Sequence, residues 1–136
     1  MLIYLVEDDQ SILELEEYAL QAQGFGTQGF GEGESFFAAC SQRLPDLVIL
    51  DVMLPSEDGF SILKKLRRTP GAETLPAVMV TARTAELDVV KGLDQGADDY
   101  ISKPFGVLEF VSRVKAVLRR ADKAPGHLSF GGIRMD

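Results

Sequence analysis

Five residues of this chain could together handle a phosphoryl group: the acids Glu7, Asp8 and Asp51, the hydroxyl of Thr81 and the ammonium of Lys103. A carboxylate attacks phosphorus readily and gives a high-energy acyl phosphate, which makes Asp51 the candidate nucleophile. An isolated Asp after a strand often only caps the next turn, so its company matters. Glu7 and Asp8 would add two carboxylates beside it. Three carboxylates brought close together repel one another and need a cation. Hard oxygen donors, with positions left for water and phosphate, suit Mg²⁺, with Mn²⁺ as the alternative ion. Lys103 supplies a compact positive charge for phosphate oxygens, and Thr81 supplies a hydroxyl that can hydrogen-bond one.

These residues share a position in the sequence pattern. The apolar run 2–6 stops at Glu7-Asp8-Asp9, the run 47–50 at Asp51, the run 77–80 at Thr81, and Tyr100-Ile101-Ser102 at Lys103-Pro104. Short apolar runs separated by helix-length amphipathic stretches read as buried parallel strands. In such sheets the functional crevice lies outside the carboxyl ends of the strands. The pattern predicts an α/β, flavodoxin-like, doubly wound sheet of five parallel strands in the order 2-1-3-4-5, with five helices on its two faces. That order places the ends of strands one, three, four and five on one rim.

The helices are expected as follows. Ser11-Ile-Leu-Glu14 has the form of a capping box, with Ile12, Leu15, Ala19 and Ala22 on one face and Gly24 as the stop. A weak strand at 27–30 belongs at an edge, where its glycine costs least. A second helix runs from about 34 to 43, ahead of Pro45. Asp58 caps a third carrying Phe60, Leu63 and Leu66, closed by Thr69-Pro70-Gly71. Thr84 caps a fourth through Leu93, with Gly96 as its stop. The last follows Pro104, with Val107, Val111, Val114 and Leu118 on one stripe.

The 136 residues suffice for one domain with a proper core, and 46% hydrophobic with 26% charged residues is an ordinary globular composition. A net charge of −7 argues against nucleic-acid binding by this segment, because such binding draws on cations placed against phosphates. Neither a signal segment nor a membrane span is evident. The lone Cys40 reads as a small buried residue in a reducing cytoplasm. From Asp122 the pattern changes to a linker. Residues 128–130 and 133–135 flank Gly131-Gly132 as in a hairpin, which is expected to open a further domain.

The motifs Leu5-Val6-Glu7-Asp8-Asp9, Asp51-Val-Met-Leu-Pro55 with Asp58-Gly59, Thr81-Ala82-Arg83 and Gly96-Ala-Asp-Asp-Tyr100-Ile-Ser-Lys103-Pro104-Phe105 together resemble the receiver domain of two-component response regulators, over about residues 2–121. The segment 96–105 and the ending Arg113-Val-Lys-Ala-Val-Leu-Arg-Arg120 look like the OmpR/PhoB subfamily, whose members carry a C-terminal winged-helix DNA-binding domain. Residues 122–136 are then a linker and the first strands of that domain. The resemblance implies that Asp51 is phosphorylated by a sensor histidine kinase. It implies that Asp8, Asp51 and the backbone carbonyl of Met53 bind Mg²⁺ directly, with Glu7 acting largely through water. Thr81 and Tyr100 form its switch pair, and Lys103 contacts phosphate and is joined to Pro104 by a cis peptide. It further implies a phosphorylation-driven homodimer through the fourth helix, fifth strand and fifth helix. Val90 and Leu93 would be its apolar part. The ion pairs across it would be Asp99 with Arg113, Asp98 with Arg120 and Asp94 with Lys115. Val89 stands where many members have a basic partner for the acid matching Glu109. Ser56-Glu57 is an unusual neighbour for the acceptor. DNA would be reached only through the further domain.

Two other classes fit less well. An aspartyl-phosphate phosphatase needs a general acid two residues after its nucleophile, where this chain has Met53. A flavodoxin needs a hydroxyl- and glycine-rich phosphate loop after the first strand, where Glu7-Asp8-Asp9 would repel the flavin phosphate.

Overall fold

The computed structural model describes residues 1–55, 57–82 and 96–123. In chain order these form β1 (Leu2–Val6), α1 (Gln10–Gln21), β2 (Gly26–Phe30), α2 (Gly33–Gln42), β3 (Leu47–Asp51), α3 (Gly59–Arg67), β4 (Ala77–Thr81), β5 (Asp99–Ser102) and a C-terminal helix (Val107–Lys123). All strand pairings are parallel, in the order β2-β1-β3-β4-β5. This is the expected flavodoxin-like sheet. Its inner strands β1, β3 and β4 are buried at every position but Leu2, which is why they read as unbroken apolar runs rather than alternating ones. The glycine-containing β2 lies at the edge. A side chain on Gly29 would collide with Leu13, so the weak strand pattern there reflects a helix packed closely over it.

Each sheet face carries its own core. Tyr4, Val6, Val48, Leu50 and Met79 meet Phe36 of α2 and Phe60, Leu63 and Leu66 of α3. Ile3, Leu5, Ile49, Val78, Val80 and Ile101 meet Leu13 and Leu20 of α1 and Phe110, Val114 and Val117 of the C-terminal helix.

Three local expectations are corrected. The cap of α1 is Asp9, not Ser11: its carboxylate accepts from the backbone N–H groups of Ser11 at 3.0 Å and Ile12 at 3.2 Å, and from the Ser11 hydroxyl at 2.7 Å. The buried stripe of α1 is Leu13, Glu16, Ala19 and Leu20, while Leu15 and Ala22 are exposed. An acid in that stripe hides it from an apolar-periodicity count. In the C-terminal helix Val107 is exposed and Phe110 anchors the stripe; the helix continues to Lys123, past the expected linker start at Asp122. The expected helix at 84–93 and hairpin at 128–135 lie outside the described residues. Among the described residues no helix is long and apolar enough to cross a membrane.

Candidate phosphoryl-transfer site

Parallel register lines the candidate residues up along one edge. Val6 pairs with Leu50, Asp51 with Val80, and Thr81 with Ser102. The edge is stitched beyond the last pairs by Val52 N–H to the Val80 carbonyl at 3.1 Å and Lys103 N–H to the Thr81 carbonyl at 2.9 Å. Glu7, Asp51, Thr81 and Lys103 therefore stand side by side, each one step beyond or at the end of its strand. Glu7, Asp51 and Thr81 are buried, whereas Asp8 is exposed.

The Lys103 ammonium lies 2.9 Å from Glu7 Oε1 and 3.3 Å from Asp51 Oδ2. The other Glu7 oxygen accepts from the Asp9 backbone N–H at 3.0 Å, and Asp51 Oδ1 accepts from the Met53 backbone N–H at 3.2 Å. Each buried carboxylate thus has one oxygen fixed by backbone and one turned to the lysine. Burial raises the Glu7 pKa, against the opposing hydrogen bond from Lys103. Burial works to lower that of Lys103, but the carboxylates of Glu7 and Asp51 outweigh it and hold the amine above its usual value. The second effect keeps a positive charge between the two acids.

Carboxylate oxygens of Glu7, Asp8 and Asp51 come within 4.8 Å of one another. A set of three hard oxygen donors, with one acid open to solvent, fits a divalent cation that keeps several waters. The loop after β3 is held close to the site by α3. Asp58 caps that helix, accepting from the N–H groups of Phe60 at 2.8 Å and Ser61 at 3.1 Å. Gly59 abuts the Asp51 backbone so closely that a Cβ there would overlap its carbonyl. Glu57, noted as unusual, binds Lys65 at 2.6 Å and accepts from the Ser61 hydroxyl at 3.1 Å. The Lys103–Pro104 peptide is cis. Tyr100 is half-buried, packed against the core on the α2–α3 side of the sheet.

The charged residues assigned to an interface sit apart from this edge and find partners within the chain. Arg113 reaches Asp99 at 3.2 Å and Glu109 at 3.1 Å. Arg120 donates to the Asp98 backbone carbonyl at 3.2 Å, and Lys115 to Gln23 at 2.6 Å. Val89, Val90, Leu93 and Asp94 lie outside the described residues.

Three features escape sequence reading. Glu16 is buried in α1 with both carboxylate oxygens lacking a hydrogen-bond partner; the signal was its spacing of three and four from Leu13 and Leu20. Arg67 donates to the carbonyls of Leu75 at 2.7 Å, Gly96 at 2.6 Å and Ala72 at 3.3 Å. Beside Lys103, an apolar groove is lined by Ile12, Leu15, Ala82, Pro104 and Phe105.

The arrangement has relatives. The sequence profile of the response regulator receiver domain matches residues 3–115. The DNA-binding response regulator MtrA of Mycolicibacterium smegmatis is 43% identical over 135 residues, covering 98% of this chain and 58% of the relative. The phosphate regulon transcriptional regulatory protein PhoB of Rhizobium meliloti is 45% identical over 119 residues, covering 88% of this chain and 52% of the relative. The chain thus spans somewhat more than half the length of these curated relatives. Among solved structures, the BeF3-activated DrrB receiver domain superposes with a TM-score of 0.78 at 34% identity, over 88% of this chain and 97% of that one. A two-component response regulator from Clostridium difficile gives 0.82 at 26% identity, over the same shares.

Proposed function

The chain belongs to the response regulator receiver domain family, and from that premise we propose that it is a phosphorylation-controlled signalling switch with Asp51 as acceptor. A carboxylate oxygen of Asp51 attacks the phosphorus of a phosphohistidine on a sensor histidine kinase. The P–O bond forms as the P–N bond breaks, and the electron pair returns to the imidazole nitrogen. The observation that carries this reading is the pairing of buried Asp51 with Lys103 at 3.3 Å beside two further carboxylates. That pairing offers a nucleophile, a fixed cation and an open cation site on one edge.

Glu7, Asp8, Asp51 and the Met53 carbonyl would hold Mg²⁺, which would neutralise phosphoryl oxygens during transfer. Lys103 then turns from the carboxylates to a phosphate oxygen, and the Thr81 hydroxyl donates a hydrogen bond to another. Tyr100 follows Thr81. The altered surface of the fourth helix, fifth strand and fifth helix dimerises and controls an attached DNA-binding domain, in the cytoplasm. The protein is a signalling domain whose chemistry is confined to its own phosphorylation and slow autodephosphorylation.

Incubation with a small phosphodonor and Mg²⁺ should add one phosphoryl group to the intact mass. Asp51→Asn should abolish the increment, and EDTA should abolish it in the parent. Full labelling of Asp51→Asn at the parent's rate would sink the assignment.

A further inference from the structure

Glu16 has no part in the chemistry above. It is 1% exposed, and among the described residues its carboxylate oxygens are the only buried side-chain oxygens or nitrogens without a hydrogen-bond partner. An unpaired buried polar group is costly enough to require an explanation. Its place in the fold suggests one. α1 starts beside the pocket at Asp9, and Glu16 lies in its second turn on the face buried against the sheet. The charges that face it are Glu7 from the end of β1, Lys103 from beyond β5 and Asp51 from the end of β3, with Glu17 on its own helix. From the C-terminal helix Phe110, Val111, Val114, Val117 and Leu118 join the core on that side of the sheet.

We propose that Glu16 is a buried proton-binding site coupled to the pocket, which gives up its proton when Glu7, Asp8 and Asp51 hold a divalent cation. The pocket sets the carboxylates of Glu7, Asp8 and Asp51 against the one ammonium of Lys103, and that negative excess favours the neutral acid of Glu16. Burial acts in the same direction and is the larger influence; with Glu7 it pushes the pKa up to about 8. A dication among the carboxylates reverses the sign of the local field, which a poorly solvated interior transmits well. The ionised form of Glu16 is then favoured, and its proton passes to solvent. By linkage the effect is mutual: a protonated Glu16 weakens cation binding by the same factor that the cation favours proton release. The family resemblance assigns this position no role, and the coupling rests on the reading of the pocket as a cation site.

The test is calorimetric titration of Mg²⁺ into the unphosphorylated protein near pH ~7, in two buffers of different ionisation enthalpy. Protons released per cation follow from the difference in heats. The parent should release more than Glu16→Gln and Glu16→Leu, by up to about 0.9 proton, the fraction that a group titrating near 8 retains at neutrality. Carboxyl NMR of Glu16 in the parent needs no variant, and its titration midpoint should fall when Mg²⁺ is added. Cation binding with equal proton release in parent and variants, or with an unmoved Glu16 midpoint, would overturn the coupling alone. No binding heat and no response of the Asp8 and Asp51 carboxyl signals would remove the cation site and the coupling with it.

Discussion

Asp51, Lys103 and Glu16 show how differently single residues can be read. The first two were legible because each ends an apolar run, and parallel pairing then leaves them little choice but to meet. Glu16 was not, because its meaning depends on which face of α1 is buried. Its burial has a consequence for stability. Folded Glu16 keeps its proton up to about pH 8, whereas an unfolded glutamate loses it near 4.5. Folding therefore takes up a proton between these limits. Stability falls as pH rises through that window, by at most about 1.4 kcal/mol per unit, and levels off above it. Glu16→Leu should raise stability at neutral pH by roughly 1–3 kcal/mol, and its advantage over the parent should shrink towards pH ~4.5. Urea denaturation at several pH values checks this; an advantage that does not vary with pH would contradict it. Thr81 is completely buried at the end of β4. A variant Thr81→Ala should still be phosphorylated on Asp51, yet the Tyr100 ring signals, followed by NMR with a phosphate mimic, should cease to respond. Unchanged Tyr100 signals in the phosphorylated parent would refute the pair as a switch.

At the scale of elements, strands were easier to read than helix faces. An inner parallel strand is buried on both sides, so its run of apolar residues has one interpretation. A helix face is chosen by what lies opposite, and Leu13 is buried because Gly29 leaves room for it. The same dependence bears on the proposed interface. Arg113 already binds Asp99 and Glu109 of its own chain, with 43% of its side chain exposed. These bonds hold its guanidinium pKa above the usual value, with Glu109 the larger influence and Asp99 next. Moving Arg113 onto a partner's Asp99 would exchange one exposed pair for another. Such pairs contribute about 0.2–1 kcal/mol each, so the exchange should select register and add little affinity. Sedimentation with a phosphate mimic should show a dimer that Arg113→Glu, by setting like charges together twice across a two-fold, disrupts. A monomer at high micromolar concentration with the mimic bound, or a dimer indifferent to Arg113→Glu, would rule this interface out.

For the molecule as a whole, the sheet order and the position of the site were both legible, because one rule governs them: parallel strands end together. The surface offered to other proteins was less so, since exposure of an apolar residue is a property of the folded shape. Leu15, which helical spacing places on one face with Ile12, Ala19 and Ala22, is 41% exposed, in the groove with Ile12, Pro104 and Phe105 next to Lys103. A kinase domain presenting phosphohistidine to Asp51 must sit close to this groove, and apolar burial there would supply affinity. Leu15→Asp should therefore slow phosphotransfer from a partner kinase at least tenfold, the effect of losing about 1.4 kcal/mol, while leaving labelling by a small phosphodonor unchanged. Equal losses with both donors would place the defect in the pocket instead.

The far edge of the sheet behaves quite differently from the one that carries the chemistry. Arg67 joins the end of α3 to the segments leading into β4 and β5 by bonding the Ala72, Leu75 and Gly96 carbonyls. Asp98 accepts there from the Ala77 N–H at 2.9 Å and donates its own N–H to the Ala77 carbonyl at 2.7 Å. In mechanical terms β4 and β5 share one anchor at the end remote from the chemistry, and at the other end the Lys103 N–H ties them together at the Thr81 carbonyl. Sliding either strand lengthwise would break these bonds. A displacement at Thr81 is therefore passed to Lys103 through the bond that joins them rather than lost as slippage between the two strands.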